Sequence, residues 1–330
     1  MKKVLAFLMV AVLAMAAFAG TPSLTGKGLF NFEYQDKLSM KETLQYDRFD
    51  LNVSDKSEED GTGYSLKLRF SEGTLSATNI SFDKLIDTAY ASHKVSFTDD
   101  MSLTAYFGRY RKSNSSYFGF WRNYSSFSSK HDGIALVFDG KSDDFSFGVT
   151  PFLYVATNEA TPAVGADLLA KLGYKGVTAH FNGTSLTEGA TNMVVEANVK
   201  VVVGDFVELP VDVDLFGAYK TQDNFKKNTV NAGLKLGYED FGFNNEFTMV
   251  MKEKEDSVMN YEGEVSYSFL DDYSAALYVG VPLTAKDKVY TVEPSVSASY
   301  DKVGYRLYAE FELNKKDAKP KFGMEASFGF

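Results

Sequence analysis

Apolar and polar residues alternate one by one along most of this chain. In residues 321–330, Phe322, Met324, Ala326, Phe328 and Phe330 fall on one side, and Lys321, Gly323, Glu325, Ser327 and Gly329 on the other. A period of two puts successive side chains on opposite faces of an extended segment, so this stretch reads as a strand with one apolar and one polar face. Residues 305–314 repeat the pattern, with Tyr305, Leu307, Ala309, Phe311 and Leu313 opposing Arg306, Tyr308, Glu310, Glu312 and Asn314. Residues 62–71 set Tyr64, Leu66, Leu68 and Phe70 against Ser65, Lys67, Arg69 and Ser71. No stretch sustains a 3.6-residue period, and the fold class is all-β. About eighteen strands follow, running from 24–35 to 319–330 and including 43–54, 62–71, 132–140, 163–174, 208–220 and 241–252, each boundary uncertain by about two to four residues.

Connection lengths alternate as well. Tight turns fall at Asp99-Asp100, Lys175, Gly204-Asp205, Asp240, Asp271 and Asp301-Lys302, and longer connections such as 72–85, 112–131, 156–162 and 221–227 lie between them. Long loops on one rim and short turns on the other are the mark of a transmembrane antiparallel barrel, which turns its apolar faces to lipid and encloses a wet lumen. The segment 55–61 is longer than that rule expects. A barrel of 16–18 strands, 18 by count, is expected over 20–330, with short periplasmic turns and longer external loops.

Composition narrows the reading. The 48 Phe and Tyr residues (28 and 20) sit beside 44 acidic and 34 basic residues, so bulky rings coexist with a polar chain. The absence of cysteine excludes disulfides, thiolate chemistry and cysteine-ligated metal centres. A formal charge of −10 argues against a nucleic-acid partner. His93, His131 and His180 are far apart and lack metal-ligand spacing, and no glycine-rich phosphate cradle is present. These features point away from an enzyme, and neither metal nor cofactor is expected. The N-terminus has Lys2 and Lys3, an apolar run from Val4 and the small-residue site Ala17-Phe18-Ala19, so residues 1–19 read as a signal peptide.

With this leader, the barrel pattern, the terminal Phe330 and a long connection after the third ascending strand, the chain resembles the bacterial outer-membrane porins. The segment 89–113 also has the strand–turn–strand texture that precedes the constriction loop in that family. The resemblance implies an outer-membrane location, contact with outer-membrane lipid and passive diffusion of small hydrophilic solutes and ions. It also implies a homotrimer, a loop folded inward to constrict the bore, and a C-terminal assembly signal at Phe330. A substrate-selective transporter and a non-conducting structural or adhesive barrel are the alternatives.

The candidate functional residues are those of the bore. The constriction candidates are Arg109, Arg111, Lys112, Trp121, Arg122 and Lys130, where cationic groups in a narrow lumen would favour anions. The family's constriction loop is often acidic, whereas this one is basic and aromatic. An external loop meeting water or lipid phosphates is the other reading of these charges. Along the wall, basic residues come early (Lys27, Arg48, Lys67, Arg69) and acidic ones late (Glu196, Asp212, Asp214, Glu246, Glu262, Glu264, Glu293, Glu310, Glu325). Consecutive strands are neighbours around a barrel, so the two signs would occupy different arcs and set a field across the bore.

Overall fold

The computed structural model describes residues 23–35, 38–40, 48–57, 61–71, 85–114, 127–156, 163–187, 193–223, 225–285 and 288–329. Residues 1–19, where a leader is expected, and Phe330 lie outside them. The strands are β1 (Ser23–Tyr34), β2 (Leu38–Met40), β3 (Arg48–Lys56), β4 (Thr62–Ser71), β5 (Ile86–Thr98) and β6 (Met101–Asn114). They continue with β7 (Phe127–Ser142), β8 (Phe145–Ala156), β9 (Ala163–Tyr174), β10 (Val177–Thr184), β11 (Val194–Val202) and β12 (Asp212–Gln222). The last are β13 (Lys227–Tyr238), β14 (Phe241–Lys252), β15 (Val258–Phe269), β16 (Tyr273–Pro282), β17 (Tyr290–Tyr300), β18 (Val303–Leu313) and β19 (Lys321–Gly329).

From β3 to β19 each strand pairs antiparallel with the next, and β19 returns to β1, in register from Lys27 opposite Gly329 to Tyr34 opposite Phe322. Both β2 and β3 pair with β1, so they form one interrupted stave and the nineteen segments make an eighteen-stave closed barrel. Closure leaves no sheet edge with unpaired backbone groups, a condition that hydrocarbon imposes on any spanning sheet.

Strand polarity is inverted relative to a water-soluble protein. On β8, Phe152 and Tyr154 are buried while Leu153 and Val155 are 55% and 53% exposed. On β17, Glu293 and Ser295 are buried and Val296 is 48% exposed. Leu172, Leu215, Leu277 and Leu307 are likewise exposed on the outer surface. Exposed contiguous aliphatic surface on this scale needs a non-aqueous neighbour. At the short-turn rim, Phe145, Tyr174, Tyr238, Phe241, Tyr267, Tyr273, Tyr300 and Tyr305 are all exposed. Phe241 and Tyr267 have centroids 4.6 Å apart, and Phe269 and Tyr273 are 6.0 Å apart. These rings form the interfacial girdle expected where apolar surface meets headgroups.

The turns follow the expected segregation with two corrections. Lys175, Glu239 and Asp301 take left-handed backbone angles (φ 47°, 50° and 51°), as tight hairpin turns require. The expected turn at Gly204-Asp205 is instead a 3-10 turn over Val203–Asp205 followed by irregular chain, and the strand expected from 208 begins at Asp212. Pro210 lies in that segment and cannot donate to a ladder. Of the expected strand 43–54, the described residues form β3 from Arg48, and the short β2 at Leu38–Met40 precedes it. The longer turn at 55–61 is present, closed by Ser57 N–H donating to Thr62 O at 2.8 Å.

Candidate functional site: the lumen wall

The inner wall divides into two arcs built by different chemistry. The first spans β3 to β9 and centres on two buried carboxylates, Asp50 and Asp87, each 5% exposed. Arg69 Nε lies 2.9 Å from Asp50 Oδ1, and Lys67 Nζ lies 3.1 Å from Asp50 Oδ2. Asp87 gathers Arg69 at 3.2 Å, Arg111 at 3.0 Å and Lys130 at 3.1 Å, with Lys67 at 3.8 Å. Four cations therefore meet two carboxylates, and this cluster keeps a positive excess of two. A bulge places Asp87: Lys67 pairs with Thr88 and Leu68 with Ile86, leaving Asp87 as the extra residue. Lys27 stands opposite Asp50 in the β1–β3 register, and Arg48 opens β3 opposite Leu29.

Beside these charges lies an aromatic patch. Tyr106 and Tyr110 stack with centroids 4.0 Å apart, and Tyr90 meets both edge-on at 5.2 and 5.3 Å. The His131 ring stacks on Tyr154 at 3.5 Å, while its Nε2 lies 3.0 Å from Asp167 Oδ2. Asp167 Oδ1 in turn accepts the Ser185 N–H at 2.9 Å. Two glycines make room for this arrangement. Gly108, at φ +118°, approaches β5 so closely that a Cβ would sit 2.4 Å from Ala89 O. At Gly165 the Tyr154 ring lies where a Cβ would be, 2.2 Å away.

The structure corrects the extent of the expected constriction loop. Residues 111–114 belong to β6 and 127–131 to β7, because Arg111 pairs with Lys130 and Asn114 with Phe127 in an unbroken ladder. Arg111 and Lys130 are therefore strand residues converging on Asp87, and Lys112 stands opposite Ser129. Arg109 forms a bidentate pair with Asp132 through Nε and Nη2, both at 2.7 Å, and Nη1 reaches Ile86 O at 3.3 Å. Trp121 and Arg122 lie outside the described residues.

The second arc, from β10 to β19, holds some of its carboxylates with neutral donors and others with cations. Glu196, Glu246, Glu262 and Glu293 are at most 2% exposed. Asn198 donates to Glu196 Oε1 at 2.8 Å, and its Oδ1 lies 2.9 Å from His180 Nδ1. Lys220 stands opposite Glu196 in the β11–β12 register. Asn231 Nδ2 donates to Glu246 Oε1 and to Thr248 Oγ1, and Thr248 donates to the same Glu246 oxygen at 2.8 Å. The Tyr278 hydroxyl donates to Glu262 at 2.5 Å, and Glu264 stands opposite Tyr278. Arg306 pairs with Glu293 at 2.5 Å and reaches Glu325 at 3.5 Å; Lys321 pairs with Glu310 at 3.0 Å. Lys200 pairs with Asp214 at 2.9 Å.

Of the wall residues expected from the sequence, Lys67 and Arg69 lie on β4, and Glu262, Glu264, Glu293 and Glu310 lie on β15, β17 and β18. Sequence reading missed Asp50 and Asp87, which sit among the cations, and the inward aromatic patch. The signal for the patch was present in residues 152–155, Phe-Leu-Tyr-Val, which are bulky on both faces. Among the described residues, no three or more His, Asp or Glu side chains cluster in a way that could hold a metal ion.

No protein-family model matches this sequence, and no curated protein matches it either. Solved structures do. The outer membrane protein OpdK of Pseudomonas aeruginosa superposes with a TM-score of 0.57 at 10% identity, covering 94% of this chain and 98% of that one. OccAB4 of Acinetobacter baumannii gives 0.56 at 10% identity, covering 94% and 97%. OpdL of Pseudomonas aeruginosa gives 0.55 at 9% identity, covering 94% and 98%. At such identities the likeness is one of architecture, and it extends over nearly the whole of both chains. The chain folds as a closed, eighteen-stave transmembrane β-barrel of the type these outer-membrane proteins share.

Proposed function

We propose that this barrel is a bacterial outer-membrane porin, a water-filled channel through which small hydrophilic solutes and ions diffuse passively. One observation carries the reading: charged and amide side chains line the inner wall while leucine, valine and tyrosine face outward. A barrel built for adhesion alone has no need of ionised groups ranged along both arcs of its interior. No bond-making step belongs to this role.

Finer features are part of the same proposal. The cationic excess on the first arc and the carboxylates on the second create a field across the bore that orients dipolar solutes. A constriction by the sequence-expected set Arg109, Arg111, Lys112, Trp121, Arg122 and Lys130 belongs to the proposal, with Trp121 and Arg122 carried on the sequence alone. The chain is exported by the leader 1–19, inserts with Phe330 as its C-terminal assembly signal and assembles as a trimer, as the resemblance in sequence implies. Reconstitution of the refolded protein into planar bilayers tests the proposal: stepwise, stable ohmic conductance is expected. Insertion without ionic current would point to a structural barrel. Flux that saturates with one solute would point to a selective transporter. Arg122→Glu is expected to shift the reversal potential in a salt gradient toward cation preference, and an unchanged value would place that residue outside the passage.

A further inference from the structure

Glu246 and Glu262 face each other directly across β14 and β15. Directly opposed side chains on adjacent antiparallel strands have Cβ atoms about 5 Å apart, and like charges there repel. Both carboxylates are 1% exposed, so little water screens them. Three other acids of this arc have cations at hand: Glu293 has Arg306, Glu310 has Lys321, and Glu196 faces Lys220. Among the described residues, no lysine or arginine pairs with Glu246; its partners are Asn231 and Thr248, which both bond its Oε1.

Two oxygens at this place lack a donor. Glu246 Oε2 and Asn231 Oδ1 are buried and accept no hydrogen bond. The amide end of Asn231, a residue 2% exposed, sits within the cluster, since its Nδ2 bonds both Glu246 and Thr248. A buried acceptor without a donor costs stability, and two of them at a carboxylate pair call for a positive partner. The donor set of carboxylate, amide and hydroxyl oxygens is that of a hard divalent cation. Calcium tolerates irregular coordination by six to eight oxygens, some of them water, whereas magnesium demands a regular octahedron.

We infer that Glu246, Glu262, Asn231 and Thr248 form a calcium-binding site in the lumen wall, between β13, β14 and β15. Bound calcium would cancel the repulsion between the two carboxylates and tie three adjacent staves together. This site is independent of whether the bore conducts.

Direct binding to the refolded barrel in a neutral detergent tests it. After chelator treatment, calcium chloride is titrated by calorimetry, and heat-induced unfolding is followed with and without calcium. The wild type is expected to bind about one ion per chain at this site and to unfold at a higher temperature in calcium. Glu246→Gln and, separately, Glu262→Gln are expected to weaken binding by about tenfold or more, because affinity follows the charge count of the ligands. Magnesium is expected to compete poorly. Retained calcium affinity in both variants would place the ion elsewhere and overturn the inference. So would a wild type indifferent to calcium together with a more stable Glu246→Gln, the signature of two carboxyls sharing a proton. Asn231→Asp, which keeps the side-chain volume and adds a carboxylate, guards against misfolding: it should fold and bind calcium at least as tightly, and weaker binding would count against the site.

Discussion

The two arcs of the lumen wall solve one problem in two ways. Both must present ionisable groups on the inner face of a sheet whose outer face is aliphatic. On the first arc, Asp50 and Asp87 are met by Lys67, Arg69, Arg111 and Lys130, and an aromatic patch from Tyr90 to Tyr154 packs beside them. On the second, Glu196 and Glu246 are held by asparagine and threonine, and Glu262 by a tyrosine hydroxyl. The first strategy leaves positive charge over; the second keeps negative charge. Neutral donors orient a carboxylate without cancelling it, whereas guanidinium and ammonium groups cancel it and then exceed it. The difference teaches that local satisfaction of hydrogen bonds and the sign of the bore can be set separately.

The comparison can be broken most forcefully at Asp87. Asp87→Ala removes the carboxylate that Arg69, Arg111 and Lys130 share and leaves those cations facing one another. A loss of about 3 kcal/mol is expected, the lower end for breaking a buried ion pair because the cations are partly solvated. Urea unfolding in lipid vesicles measures it, and the reversal potential should move toward anion preference. On the same arc, Gly165→Ala drives a Cβ into the Tyr154 ring and should lift that ring off His131. Overpacking of this kind costs about 1–3 kcal/mol and is read by the same unfolding experiment.

On the second arc, Tyr278→Phe removes the hydroxyl that Glu262 accepts, with an expected loss of about 1.5 kcal/mol. An equal loss from the same change at Tyr90 would erase the distinction, since that ring serves the first arc by packing. The smallest effect is expected from Lys130→Ala. Asp87 keeps Arg69 and Arg111, so the cost should stay within about 1 kcal/mol while the ion preference shifts slightly toward cations.

How far the sequence carries depends on the range of the interaction that sets each feature. Strand period is local, and 62–71, 163–174 and 241–252 were read to the residue. Counting the alternating segments gave eighteen within an expected 16–18, and alternating connection lengths, also local, gave the two rims. Pro210 broke the rule for one turn because a missing N–H acts against a ladder whose partner strand is distant in the chain. Segment 127–131 was read as loop because Phe127, Ser128, Ser129 and Lys130 show no alternation, yet they pair with β6 residues to Asn114. The lumen partnerships were least legible. Arg69 finds Asp87 across 18 residues only because a bulge adds one residue to β5, and no pattern in either strand announces it. Tyr90, Tyr106 and Tyr110 were hidden because an apolar residue was assumed to face lipid, and the inner wall here takes rings as well.

The central claim is the direction in which each strand's two faces point, and the chain's lack of cysteine allows a direct measurement. Ser297 lies on the inner face of β17, opposite Ser274 and Arg306, and its neighbour Val296 is exposed on the outer face. Ser297→Cys and Val296→Cys, each as the sole cysteine of the barrel reconstituted in lipid vesicles, are treated with a charged, water-soluble maleimide. The inverted barrel predicts rapid labelling at 297 and protection at 296 by the surrounding hydrocarbon. Protection at 297 with rapid labelling at 296 would mean that the aliphatic faces point inward, and the account of a wet bore would be wrong.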